Sequence, residues 1–92
     1  SASGTGIFNK LEVHGADGTL QADYIVHKDD ENTKFGFPAN DKFKVRTNGV
    51  DRFNITADGK IGIGNDAPTK QLVVAGEMSS SGDISTKFSW EY

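Results

Sequence analysis

Phe43-Lys44-Val45-Arg46-Thr47-Asn48-Gly49-Val50-Asp51-Arg52-Phe53-Asn54-Ile55 reads as two alternating β-strands about an Asn-Gly turn. Phe43, Val45 and Thr47 alternate with basic residues before the turn, and Phe53, Ile55 and Ala57 alternate after it. A two-residue Asn48-Gly49 loop would pair odd positions with even ones, set Phe53 opposite Lys44 and split the apolar side chains across two faces. A three-residue Thr47-Asn48-Gly49 loop with Gly49 left-handed pairs odd with odd. That register is expected, with Phe43 opposite Phe53. Lys42, Lys44, Arg46, Arg52 and Asn54 then make a polar, solvated face, where Asp51 dilutes the positive charge and argues against an anion site.

Working outward, Ile7 to His14 and Leu20 to His27 read as strands joined by an Asp17-Gly18 turn, and Lys28 to Lys34 reads as a polar connecting loop without EF-hand spacing. Phe35-Gly36-Phe37 is a strand that Pro38 ends or confines to an edge. After the hairpin, Asp58-Gly59 turns the chain into Lys60-Ile61-Gly62-Ile63-Gly64, and Asn65 to Thr69 turns it again. Gly62-Ile63-Gly64 opens no amphipathic helix and carries no Gly-Lys-Ser/Thr, so it does not read as a phosphate loop. Alternate glycines instead strip one strand face for close backbone approach, for which a threefold axis is the natural use, while Ile61 and Ile63 fill the other face. No stretch keeps a 3.6-residue period, so the expected class is all-β, built of short antiparallel strands and hairpins.

The chain also repeats itself. Lys10-Leu11-Glu12-Val13-His14-Gly15 matches Gln71-Leu72-Val73-Val74-Ala75-Gly76, and each copy follows a Gly-x-Gly step, Gly4-Thr5-Gly6 or Gly62-Ile63-Gly64. The opening Ser1 to Lys10 is echoed by Ser79 to Phe88. Such repetition builds length by stacking units, and the chain reads as an internal piece of an array. The expected division is a β repeat over 1–28, a central β module over 29–76, and a linker with the start of a next repeat over 77–92.

Composition removes several classes of function. The 92 residues hold 21 Leu, Ile, Val and Phe, above a disordered chain but low for a self-sufficient core, so burial shared between chains is expected. No cysteine is present, which removes disulfides and thiolate chemistry. A net charge of −3 with interspersed signs leaves no footprint for nucleic acid, and no apolar run spans a membrane. His14 and His27 are isolated, and a metal site needs several converging ligands, so neither metal nor cofactor is expected. Serines lie in small-residue linkers without a Gly-x-Ser-x-Gly elbow, and the acids sit in turns, so no catalytic residues are assigned and the chain reads as a non-enzyme.

The residues Asp30-Glu31-Asn32-Thr33, Phe37-Pro38-Ala39-Asn40-Asp41, Phe43-Lys44-Val45, Asn48-Gly49, Arg52-Phe53-Asn54-Ile55, Asp58-Gly59-Lys60-Ile61-Gly62-Ile63-Gly64, Ala67-Pro68 and Leu72-Val73-Val74-Ala75-Gly76 carry a resemblance. Over 29–76 the chain resembles the module of tail-fibre and other appendage proteins of tailed phages, notably marine cyanobacterial phages. It departs at Asn65, where such modules often carry threonine. The resemblance implies an elongated, intertwined homotrimeric fibre module on the virion, with a structural or host-attachment role alongside other appendage proteins. Phe43, Val45, Phe53, Ile55, Ile61, Ile63, Leu72 and Val74 are the expected packing residues within and between chains, with Gly62 and Gly64 allowing close approach. The alternatives are a fibre-tip module binding a host cell-surface glycan or protein, with Phe35, Phe37, Trp90 and Tyr92 as exposed platforms, and the stalk of a bacterial trimeric adhesin.

Overall fold

The structure is a computed structural model that describes residues 6–87. Its residues form six strands in a single mixed sheet without a helix: β1 (Tyr24–His27), β2 (Asp30–Gly36), β3 (Phe43–Thr47), β4 (Val50–Ile55), β5 (Ile61–Ile63) and β6 (Leu72–Val74). The strands lie side by side in chain order, each beside the next. β1 to β5 pair antiparallel, whereas β6 runs parallel to β5. The radius of gyration is 18.2 Å, against about 12 Å for a compact domain of this length. The chain is elongated, with extents of 63 × 34 × 29 Å.

The β3–β4 hairpin satisfies both its turn chemistry and its hydrophobic pattern, which the three-residue loop treated as competitors. Asn48 and Gly49 both have positive φ, 51° and 73°, so the loop holds two residues, with Thr47 opposite Val50 and Arg46 opposite Asp51. A β-bulge then takes up Arg52 as an extra residue, and beyond it Val45 faces Phe53 and Phe43 faces Ile55. The odd-with-odd parity is therefore present. The pairing of Phe43 with Phe53 is not.

Three further expectations are corrected. Lys28 to Lys34 is not a loop; the turn is confined to Lys28 and Asp29, the latter at φ 60°, and β2 starts at Asp30. Its polar side chains sit on a strand because main-chain pairing with β1 and β3, not side-chain burial, holds them there. Ile7 to His14 forms no strand, and of the second expected strand only Tyr24 to His27 is one, because no strand among the described residues pairs with the residues before it; Asp23 alone extends the pairing, its carbonyl accepting the Phe37 N–H (2.8 Å). The uniformly antiparallel sheet is broken by the parallel β6. The segment 64–71 crosses the sheet before Ile61 N–H donates to the Gln71 carbonyl (2.8 Å) and Ala75 N–H donates to that of Ile63 (2.9 Å).

That crossover explains Gly62. The strand position is buried, and a Cβ there would collide with the Asn65 carbonyl oxygen and crowd Pro68, itself buried. The glycine does permit close backbone approach, but its own chain fills the space, so the threefold-axis role for Gly62 is corrected. Asn65 holds the turn by accepting the Ala67 N–H on its side-chain oxygen (2.8 Å), while its carbonyl accepts from the Asn54 amide (3.3 Å). Gly64, at φ +72°, lies past the strand end, and its N–H donates to Arg52 (2.8 Å). Gly36 plays the same part at the other side, where a Cβ would strike the Asp23 carbonyl.

Gly62→Ala is expected to cost about 1–3 kcal/mol through this collision, read as a lower thermal midpoint by circular dichroism. Gly82→Ala, with open space where its Cβ would stand, should leave the midpoint unchanged.

Candidate functional site

Strand alternation and register sort the side chains into two unlike faces. One cross-strand row runs Ile25, Phe35, Val45, Phe53, Ile63, Val74, one residue from each strand. The adjoining row on the same side runs Phe43, Ile55, Ile61, Leu72, with Phe37 beside Phe43 at a ring-centroid distance of 5.8 Å. Phe35 meets Phe43 edge-on at 6.3 Å. Neither row contains a charged residue. This apolar face spans the whole sheet.

Among the described residues no second layer covers it, and only Leu20 and Ala22 approach its Ile25–Phe35–Phe37 end. Among the described residues no hydrophobic side chain is buried, and Phe35, Phe37, Ile63 and Leu72 are 44, 56, 42 and 50 % exposed. A sheet normally buries its apolar face against a second layer, and the described residues form none here.

The opposite face is polar and internally paired. Its central row is Tyr24, Gly36, Lys44, Asn54, Gly62, Val73. Lys34 places its ammonium 4.5 Å from the centre of the Tyr24 ring and Lys44 lies 5.7 Å from it, two cation–π contacts. The Arg46 guanidinium donates to Asp51 at 2.7 Å, and Lys44 Nζ stands 3.5 Å from the same carboxylate oxygen. The Arg46 hydrogen bond, helped by the Lys44 charge and opposed by desolvation, holds the Asp51 carboxyl below its usual range. Asp51 thus offsets part of the positive charge of Lys44 and Arg46, the dilution that the hairpin pattern anticipates.

Phe43, Val45, Phe53, Ile55, Ile61, Ile63, Leu72 and Val74, expected to pack, share the apolar face; Gly62 lies on the other face and Gly64 beyond the strand. Phe35 and Phe37, assigned as glycan platforms, stand on the same apolar face beside Phe43, while Trp90 and Tyr92 lie outside the described residues. Ile25 was missed. In Tyr24-Ile25-Val26-His27 three consecutive residues have apolar bodies, which hides the alternation; only pairing with Phe35 assigns the face. His27 lies 3.5 Å from Asp30, and no group of three or more His, Cys, Asp or Glu converges among the described residues.

Comparison of the chain with protein-family models, curated proteins and solved structures finds no match.

Because its pKa is depressed in the folded state, Asp51 contributes stability above its unfolded-state pKa, and that contribution fades as pH falls through the lower folded value. Asp58 is lowered too, first by the Thr56 hydroxyl and then by Lys60, and titrates in the same acid window. Asp51→Asn should therefore lower the urea midpoint at pH 6 and lose less of it than the unchanged protein on going to about pH 2.5. Equal acid losses in the two proteins would remove Asp51 from the acid response.

Proposed function

We propose that the chain is a self-associating structural module of a phage tail fibre or related virion appendage, working as a homotrimer that supports host attachment. The observation that carries this reading is the pair of uncharged apolar rows, the longer crossing all six strands, that no second layer among the described residues covers. A monomer would leave that face in water; three copies meeting on it make the core that each lacks. Completing the burial of a half-exposed Val, Ile, Leu or Phe contributes on the order of 1 kcal/mol; Ile25, Phe35, Ile63 and Leu72 are in that state, and the six other residues of the two rows, already more covered, add less.

Association also suits a sheet with two open edges, since an assembly shields strands that would otherwise recruit other chains. The phage assignment rests on the sequence resemblance over 29–76. A module of this kind needs no chemistry: the groups with perturbed pKa, Arg46, Asp51 and Asp58, pair with each other or with Thr56 and Lys60 at a turn. The other proposed partners are neighbouring appendage proteins in line with the module.

Charge placement tests the reading. Val45→Glu puts three carboxylates into the shared core, where unpaired charges cost several kcal/mol each, and should turn a trimer near 30 kDa, three copies of 9.9 kDa, into monomers in sedimentation equilibrium. Lys34→Glu, on the polar face, should leave the mass unchanged. Dissociation by the second change and not the first would place the contact on the wrong face. Saturable quenching of Trp90 fluorescence by host polysaccharide would favour the fibre-tip reading instead.

A further inference from the structure

The tip of the β3–β4 hairpin combines a reactive residue pair with a hydrogen bond that restrains it. Asn48 is the one asparagine of six that precedes a glycine. Glycine has no Cβ to keep its own main-chain nitrogen away from the side chain before it, and both residues are exposed. Against this, the Gly49 N–H donates to the Asn32 carbonyl of β2 (3.0 Å), continuing the register that sets Lys34 opposite Arg46. With Asn48 at φ 51° and Gly49 at φ 73°, the turn is closed.

We propose that Asn48 is a site of spontaneous deamidation in the folded protein, and that the Gly49–Asn32 hydrogen bond gates it. Solvent base takes the Gly49 amide proton, and that nitrogen forms a bond to Asn48 Cγ. The Cγ–Nδ2 bond breaks, and the side-chain nitrogen takes up a proton and leaves as ammonia, so a five-membered imide remains. Water then adds to one of the two imide carbonyls. Cleavage of the bond from the Gly49 nitrogen to Cγ gives an ordinary aspartate; cleavage of its bond to the main-chain carbonyl carbon gives isoaspartate, in which the chain runs through Cγ. One water enters, one ammonia leaves, and nothing is oxidised or reduced.

The gate follows from the geometry. The proton that must leave is the one donated to Asn32, and ring closure swings the peptide plane between Asn48 and Gly49 out of the turn. Reaction therefore proceeds from an open tip, and one net hydrogen bond slows it roughly 2- to 13-fold relative to the unfolded chain.

The other candidates are disfavoured by what surrounds them. The five remaining asparagines precede Lys, Thr, Asp or Ile, whose side chains crowd the attacking nitrogen. Two of these are also held in place: the Asn65 side-chain oxygen accepts the Ala67 N–H (2.8 Å), and the Asn54 amide donates to the Asn65 carbonyl (3.3 Å). Asp58-Gly59 is a comparable turn with an acid. There the Thr56 hydroxyl and Lys60 hold the carboxyl below its usual range, and an ionised carboxylate is a poor electrophile.

The two products differ in effect. Aspartate suits the same two-residue turn, for which Asp-Gly is a preferred pair. Isoaspartate lengthens the main chain by a methylene, so the loop that sets Thr47 opposite Val50 no longer closes and the bond to β2 is lost.

Incubation of the full chain in mildly alkaline buffer, followed by peptide mapping and by methyl labelling with an isoaspartyl methyltransferase, tests the site and the gate. Label should appear at Asn48 before any other asparagine, roughly 2- to 13-fold more slowly in the native than in the urea-unfolded chain. The same factor should describe the protection of the Gly49 amide against hydrogen exchange. The isoaspartate fraction should melt below the unmodified chain by circular dichroism, whereas Asn48→Asp should keep the midpoint. Asn48→Gly, which keeps the turn, should lose the label. An intact Asn48 in the folded protein once the unfolded chain has been converted would overturn the proposal, and so would earlier conversion at Asn40 or Asn65. Equal rates in the folded and unfolded chains, or slowed conversion beside an unprotected Gly49 amide, would overturn the gate.

Discussion

The constraint on which everything else depends is an apolar sheet face that no second layer among the described residues covers. Six short strands supply the main-chain hydrogen bonds that hold the sheet together, but no hydrophobic side chain among the described residues is buried. Hydrogen-bonded strands alone are marginal in water, since each bond replaces one made to solvent. The polar face is finished within the chain, by the Tyr24–Lys44–Asp51–Arg46 contacts and by the crossover sealed on Gly62. The apolar face is unfinished, and this asymmetry carries the proposed assembly.

The division of labour has a local cause. In β3, β4 and β5 apolar residues alternate with polar residues or glycine except at Thr47 and at the Arg52 bulge, and the other face holds Lys44, Arg46, Asp51, Asn54 and Gly62. A glycine on the polar side lets the 64–71 crossover lie flat against the sheet, so the chain returns to make a parallel sixth strand without using its apolar face. Were Gly62 larger, the crossover at Asn65 and Pro68 would have to shift away from the sheet. The polar face is thus where the chain closes on itself, and on the proposed reading the apolar face is where copies meet.

Much of this was legible in the sequence, wherever one signal dominated. The alternation from Phe43 to Ile63 marked β3 to β5, the Asn-Gly and Asp-Gly turns and six residues of the apolar face, and Leu72-Val73-Val74 added two more. The hairpin register was misread because turn and pattern demanded different parities, and a bulge at Arg52 reconciles them, which neither signal announces. β2 was misread because Asp30-Glu31-Asn32-Thr33 is polar at successive positions and its strand state comes from neighbours on both sides. Leu11-Glu12-Val13-His14-Gly15 and Leu72-Val73-Val74-Ala75-Gly76 show the same limit. The patterns match, yet only the second is a strand, because only it has β5 to pair with; Leu11 and Val13 stay 61 and 46 % exposed.

The most direct measurement is the mass of the unmodified chain in solution, by light scattering across the micromolar range. A face that copies must cover predicts a species near 30 kDa, three times the 9.9 kDa chain, that dissociates only on dilution. A folded, monodisperse monomer throughout that range would contradict the account.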